Sequence, residues 1–293
     1  MLNLTFFKIT IFWGSYLVFP FLIALVFLFL RFKERVTRTF LIFAAVICLI
    51  FIWARFIERN LIVVKNHKVD TGFKSNIVLV SDMHLGLFKD ERFLKRVVKK
   101  INKLNPDYVL IAGDLTYWCS VSELDALFKP LSELKMPCYA VYGNHDVGIP
   151  GDDIRDELAE TISKYNCKLL NNDYVSLDNF VLIGLGSTWA GEDDVSVLSK
   201  FDEKRHLLVL AHNPEAVLKY KKRKPDITLS GHLHGGQIRI PFLYKKILPT
   251  AFDFDTGFSE KFGPKFYITS GLGEVGLPLR LFNPPIIEYF AFF

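Results

Sequence analysis

Cysteine is scarce in this chain, with four in 293 residues and no two in a CxxC spacing. Cys48 sits in an apolar run and Cys119, Cys138 and Cys167 stand apart. Neither a disulfide framework nor a zinc-thiolate knot is expected, and all four read as small buried residues. Repeats and low-complexity tracts are absent as well. Acidic residues are nearly missing from the N-terminal quarter. Nine of the 36 Lys and Arg precede Asp70, against two of the 31 Asp and Glu, which leaves 27 and 29 in the remainder. The formal net charge of +5 therefore belongs to an N-terminal appendage. The rest is near neutral, which argues against an extended nucleic-acid surface. The one charge run, residues 219–224, reads as a solvated helix end, or as a headgroup contact if the domain is membrane-tethered.

What is plentiful is apolar sequence, 51% of the chain. Residues 10–30 carry no charge and are long enough to cross a hydrocarbon core of about 30 Å. A second run covers 39–57 if Arg55 snorkels to the interface. Between them lies a short basic connection with Arg31, Lys33, Arg35 and Arg38, so the pair reads as a transmembrane helical hairpin. A cleaved signal peptide is the competing reading, but no small-residue cleavage pattern follows either run. The expected organisation is a membrane anchor over 1–69 and a catalytic domain over 70–293, multi-pass in the cell membrane. Basic residues on both sides of the hairpin leave its orientation undecided.

Beyond the anchor, short apolar runs alternate with amphipathic stretches. Phe93, Leu94, Val97, Val98 and Ile101 mark one face of a helix over 90–104, and 122–134 and 152–165 look similar. Pro106 and Pro137 close the gaps to the next strands, giving a βαβ rhythm. From 168 to 186 the runs become consecutive, which predicts a second, largely antiparallel sheet. Two sheets packed face to face with helices outside are expected, an α/β fold with its polar loops on one rim.

Five apolar runs end in chemistry-bearing residues. Residues 76–80 lead to Asp82 and His84, 108–112 to Asp114, and 138–142 to Asn144, His145 and Asp146. Residues 207–210 lead to His212, and 226–229 to His232 and His234. Gathered at one sheet rim, they make a site for divalent cations. Asp114, alone at the end of its run, suits a bridge between two ions. Asp82 and His84, two residues apart in extended chain, can clasp one ion. The glycines around His232 and His234 leave that turn free to divide them between ions. His67 and His206 fall outside these loops and read as surface or interface residues.

The series Asp82-x-His84, Gly113-Asp114, Gly143-Asn144-His145-Asp146, Ala211-His212 and Gly231-His232-x-His234 resembles the calcineurin-like metallophosphoesterases, over residue 76 to the C-terminus. Gly235-Gly236-Gln237, Ser270-Gly271-Leu272-Gly273 and Gly276-Leu277-Pro278-Leu279-Arg280 look like the membrane-associated bacterial branch. That branch includes phosphodiesterases and a UDP-2,3-diacylglucosamine pyrophosphatase. The resemblance implies a four-layer αββα sandwich of two mixed sheets and two divalent ions, Mn, Zn or Fe. By matching position, Asp82, His84, Asp114 and His234 would take one ion, and Asp114, Asn144, His212 and His232 the other. His145 matches the family's non-ligand histidine, a candidate proton donor to the leaving oxygen, and Asp146 is a candidate to orient its ring. A water shared by two cations loses a proton near neutral pH and can attack phosphorus.

Next to the last ligands, residues 238–265 carry Phe242, Leu243, Tyr244, Phe252, Phe254, Phe258 and Phe262. They read either as packing against the second sheet or as an apolar wall that admits an acyl chain. With the hairpin tether, a lipid-linked phosphodiester or pyrophosphate is the leading substrate, and no nucleic acid or obligate protein partner is expected. Arg280 would hold a second phosphate or pair with an acid such as Glu274. A phosphomonoesterase or phosphoprotein phosphatase would use the same centre, and a metal-binding scaffold is the non-enzyme alternative.

Overall fold

The computed structural model describes residues 2–242, 244–246 and 255–293. Leu243, Phe252 and Phe254, singled out above, lie outside them. The apolar N-terminus forms Leu2–Gly14 (α1) and Val18–Arg31 (α2), joined through a 3-10 turn, and then Arg35–Ile52 (α3). The apolar spans Phe6–Arg31 and Arg35–Asn60 are each 26 residues long. At about 1.5 Å per residue either is long enough to cross a bilayer core. Phe7, Phe21, Phe27, Phe40 and Phe43 are all exposed. So much uncovered aromatic surface points to membrane association.

The returning helix does not hang free of the rest. A π-helical turn, Trp53–Ile57, and a 3-10 turn, Glu58–Asn60, carry it onto the catalytic unit. There Ala54 O accepts from the Arg280 amide at 3.1 Å, and Glu58 Oε1 accepts from the Asn283 amide at 2.6 Å. Arg59 forks onto Glu274 at 3.0 and 3.2 Å, and Lys89 Nζ reaches the same carboxylate at 3.1 Å. Glu274 is fully buried, a setting that raises a carboxyl pKa, yet Lys89 and Arg59 hold it below the ordinary value. An ionised carboxylate under two cations is a strong tie between the N-terminal helices and the sheets that follow.

Among the described residues fourteen strands follow. They are β1 (Val63–Val69), β2 (Ser75–Val80), β3 (Leu85–Gly86), β4 (Tyr108–Ala112), β5 (Thr116–Tyr117), β6 (Cys138–Val141) and β7 (Cys167–Leu169). Then come β8 (Asp173–Ser176), β9 (Val181–Gly184), β10 (Leu207–Leu210), β11 (Ile227–Ser230), β12 (Gly257–Ser259), β13 (Phe266–Ile268) and β14 (Ile286–Phe292). One six-stranded sheet has the order β1-β14-β2-β4-β6-β7 and the other β12-β13-β11-β10-β9-β8, while β3 and β5 pair separately. Both six-stranded sheets are mixed. In the first only β14 against β2 is antiparallel. The second is parallel through β9, β10, β11 and β13, so the largely antiparallel sheet expected from sequence is corrected. Its antiparallel pairs, β8–β9 and β12–β13, are confined to the edges. The tight turn at Asp178-Asn179 makes one edge hairpin, and it does not propagate.

Period-two alternation assembles the layers. Ile77, Leu79, Leu110 and Ala112 face Leu182, Leu208, Leu210 and Leu229 between the sheets. Val78, Val80, Val109 and Ile111 face the helices Glu91–Leu104 (α4), Leu124–Phe128 (α5) and Arg155–Ser163 (α6). On the far side of the second sheet, Val181, Ile183, Leu207 and Val209 are covered by the 3-10 turns Val195–Lys200 and Pro214–Lys219. The stretch 122–134, expected as one helix, also tightens into a 3-10 turn from Lys129, where Pro130 removes an amide donor.

Two further expectations change. β1 pairs along its whole length with β14, so 63–69, expected with the anchor, lie in the first six-stranded sheet. Cys138 and Cys167 are register partners on β6 and β7 and form a disulfide, while Cys48 and Cys119 are free. Strand register brings that pair together, and sequence spacing carries no trace of it.

Candidate metal centre

Each chemistry-bearing loop leaves the carboxyl end of its strand, where ligands of open α/β sheets collect. β2 delivers Asp82 and His84, β4 Asp114, β6 Asn144 and His145, β10 His212, and β11 His232 and His234. The backbone at this rim is strained. Asp82, His84, Asp114, His232 and His234 have φ between 47° and 73°, a region that costs side-chain-bearing residues on the order of 1 kcal/mol or more each. Two glycines let the loops touch. A Cβ at Gly143 would lie 2.1 Å from Oδ1 of Asp114, and one at Gly231 would lie 1.7 Å from Oγ of Ser81.

The rim gathers the side chains into two groups that share a carboxylate. Asp82, His84, Asp114 and His234 form one, and Asp114, His212 and His232 the other, with ligand atoms in each within 4.8 Å of one another. In the first, His84 Nε2 lies 3.1 Å from His234 Nε2 and 3.6 Å from Asp114 Oδ2, and His234 Nε2 lies 3.5 Å from Asp82 Oδ1. In the second, His212 Nε2 is 3.2 Å from Asp114 Oδ2, from Asn144 Oδ1 and from His232 Nδ1. Donor atoms about 2.1 Å from one ion and roughly 90–120° apart are about 3.0–3.6 Å from each other. The separations therefore suit a cation in each group. His212 Nδ1 faces Ala112 O at 2.8 Å, a contact that turns Nε2 toward the cluster.

The electrostatics agree with the donor set. Burial pushes His84 and His232 down to about 3 and His234 well below the ordinary value, so their nitrogens are lone-pair donors at neutral pH. Burial pushes Asp82 up to about 7, although a bond from Ser81 Oγ and the His232 amide oppose the shift. Asp114 is buried too, but His212 and His145 hold its carboxyl well below the ordinary range. His212 in turn rises to about 9, because Asp114 outweighs burial. Neutral His84, His232 and His234 beside an ionised Asp114 are the forms in which these side chains bind divalent cations.

His145 stands beside both groups. It is half-buried, its amide donates to Asp114 Oδ1 at 2.9 Å, and its ring meets those of His84 and Tyr117 edge-on with centroids 5.1 Å away. Burial holds the ring below its ordinary value against the pull of Asp114. A negatively charged substrate would shift it the other way. The ring has one open side, a cavity of about 540 Å³ lined also by Asp114, Asn144, Trp189, His232 and Leu277.

Two sequence expectations fail here. Asp146 does not orient the His145 ring. Its carboxylate accepts from the amides of Leu115, Thr116 and Gly143 and from Thr116 Oγ1, at 2.8 to 3.2 Å, and so ties the Asp114 loop to the Asn144 loop. Arg280 does not face the cavity either. It is fully buried, and its guanidinium donates to the carbonyls of Ser270, Gly273 and Asn283. Its Nε and Nη2 are engaged on backbone, which leaves it a clamp on the 270–283 loop and no anchor for a phosphate. Conversely, Ser81, Tyr117 and Trp189 carried no spacing signal. Ser81 holds Asp82, Tyr117 packs edge-on against both His84 and His145, and the Trp189 ring stands 4.2 Å from that of His232.

Comparison with known proteins bears on what this geometry does. The model of the calcineurin-like phosphoesterase family matches residues 75–236. A metallophosphoesterase of Aquifex aeolicus is 30% identical over 76% of this chain and 86% of its own length. Phosphodiesterase YaeI of Escherichia coli is 29% identical over 71% of this chain and 81% of its own. A transmembrane protein with metallophosphoesterase domain from Danio rerio is 31% identical over 70% of this chain, but the match spans only 50% of that protein. For two relatives from Helicobacter pylori the covered share of their own length is 60%. A divalent-cation donor set shared between five strand ends, on a two-sheet frame that the family model matches, makes this chain a member of the calcineurin-like phosphoesterases, metal-dependent phosphoric ester hydrolases.

Proposed function

We propose that the chain hydrolyses a phosphodiester or pyrophosphate bond in a lipid-linked substrate at the membrane surface. The observation that carries this reading is the cavity at the donor set. It is floored by Asp114, His145 and His232, and its walls include Leu233, Ile238, Tyr244, Val275 and Leu277. On the same loops Ile240, Phe242 and Leu277 are exposed, Phe242 at 92%. An apolar wall that runs out into uncovered aromatic surface, on a domain tied to two apolar helices, suits an acyl chain entering from the bilayer. The anchor is read as crossing twice, which leaves both ends of the hairpin on the side of the catalytic domain.

The residues divide the work. Asp82, His84, Asp114 and His234 would hold one cation, and Asp114, Asn144, His212 and His232 a second, of Mn, Zn or Fe. Bound there, the two ions would supply activation of the attacking water and neutralisation of the phosphate oxygens. His145 would hold a proton beside the leaving oxygen, and the hydrogen bond from its backbone amide to Asp114 fixes its main chain beside the shared carboxylate. Asp146 keeps two of the ligand loops in register, and Trp189 packs its ring against that of His232.

The test uses full-length protein in nanodiscs loaded with Mn²⁺. Bis(p-nitrophenyl) phosphate should be cleaved, and an extracted bacterial lipid fraction should yield a new phosphorylated or dephosphorylated species. Cleavage of monoesters alone would overturn the diester and pyrophosphate reading. No hydrolysis with any of Mn²⁺, Zn²⁺ and Fe²⁺ would overturn the proposed hydrolysis of a lipid-linked ester.

A further inference from the structure

Lys8 lies two residues inside the first apolar span, Phe6–Arg31, where a charge has no evident use. It is only 8% exposed. Its Nζ donates to the Tyr117 hydroxyl at 2.6 Å and sits over the rings of Tyr117 and Trp118, 4.6 and 4.5 Å from their centroids. Among the described residues no carboxylate pairs with it. Tyr117 is the residue whose ring meets His84 and His145, and Lys8 itself lines the cavity that holds Asp114 and His145. The membrane helix thus reaches into the wall of the active site.

An ammonium has three protons in a tetrahedral fan, and one is engaged by Tyr117. Two aromatic faces replace part of its lost hydration but carry no formal negative charge. A buried cation without a counter-charge is costly and is normally paired. The Tyr117 hydroxyl also accepts from the Gly276 amide at 3.0 Å. With two donors already pointing at that oxygen, its own proton is left to donate. A cationic donor and a phenol donor side by side on a cavity wall form a receptor for an anionic oxygen.

We propose that Lys8, supported by Tyr117, is a substrate-positioning residue that binds a non-bridging phosphate oxygen of the substrate, so that the membrane anchor supplies part of the active site. The inference rests on the phosphoester hydrolase reading and names what that site recognises. The recognised chemistry is a phosphate group held at the depth of the first turns of the span. A lipid headgroup presents such a group at that depth, and a soluble phosphate ester must diffuse to it.

The experiment compares wild type, Lys8→Met and Lys8→Arg as full-length Mn²⁺-loaded proteins in nanodiscs, with retained fold checked by circular dichroism. Lys8→Met should raise KM for bis(p-nitrophenyl) phosphate by roughly tenfold to a hundredfold, as for loss of a charge-assisted hydrogen bond, and change kcat far less. Lys8→Arg should recover most of that loss. Competition separates the two sources. If the headgroup is what Lys8 reads, Lys8→Met weakens inhibition by dioctanoyl phosphatidic acid more than inhibition by inorganic phosphate; equal weakening assigns the site to phosphate from either source. A KM within about twofold of wild type, or a loss that Lys8→Arg does not reverse, overturns the inference. Phosphate binding followed by ³¹P line broadening keeps the two claims apart. Lys8-dependent binding by a wild type that hydrolyses nothing would sink the hydrolase reading and leave Lys8 as a phosphate-binding residue only, while binding equal in wild type and Lys8→Met would sink the inference.

Discussion

Replacing Arg59 by alanine tests how the anchor is fastened to the catalytic unit. Arg59 makes two bonds to Glu274, at 3.0 and 3.2 Å, and a third to Phe88 O at 2.7 Å, with side chains 6% and 0% exposed. Removing one partner of a buried pair costs roughly 3–5 kcal/mol, because the other charge is stranded. Here Lys89 stays on Glu274 at 3.1 Å, so the lower figure applies, about 3 kcal/mol. For a domain of this size that is a fall in Tm of roughly 6–12 °C. Glu274 is held below its ordinary pKa, so its contribution is complete above the unfolded carboxylate value and is lost only as pH falls through the lower native one. Lys89, the partner that stays, is pushed down to about 7, chiefly by burial, so the loss in Arg59→Ala should be constant only below that value, between about pH 5 and 6. Differential scanning fluorimetry in detergent across that range measures it. A shift under about 2 °C, or one that vanishes within that range, would refute the reasoning.

His145→Ala should keep its bound metal, measured by mass spectrometry of the acid-released ions, while kcat falls by about 10²–10⁴. Unchanged turnover would remove its role as proton donor. Asp146→Ala strands the amides of Leu115, Thr116 and Gly143, so a loss of at least about 2 kcal/mol in chemical denaturation is expected, with weaker metal retention. A neutral result there would mean that the two ligand loops do not depend on each other. Truncation to residue 70 removes β1 and uncovers the edge of β14, so that fragment should aggregate, whereas a start at residue 61 keeps the strand. Light scattering distinguishes the two, and equal monodispersity would contradict the assignment of β1 to the sheet.

The candidate donors were legible in the sequence because chemistry and strand ends coincide: each apolar run stops where Asp82, Asp114, Asn144, His212 or His232 begins. Amphipathic periodicity likewise placed α4, whose start is marked by Asp90 capping the Phe93 amide. Contacts made by register or across distant loops left no local mark. Cys138 and Cys167 meet through the pairing of β6 with β7, and β9, β10 and β11 run parallel through connections whose geometry short apolar runs do not encode. Asp146 and Arg280 were misread for a related reason. A carboxylate beside a histidine and an arginine on a polar loop look like site residues until their bonds to backbone are seen. The engagement of Lys8 was equally invisible, because an isolated basic residue at the start of an apolar helix reads as an interface anchor.

The central claim is that Asp114 is shared between two cations, and electron paramagnetic resonance of the Mn²⁺-saturated protein tests it most directly. Two ions bridged by one carboxylate at roughly 3.5–4 Å are exchange-coupled. Wild type should therefore give the multiline spectrum of a coupled pair, and Asp114→Asn should lose it. An isolated six-line Mn²⁺ signal at saturation in the wild type, or a coupled signal that survives Asp114→Asn, would contradict the account.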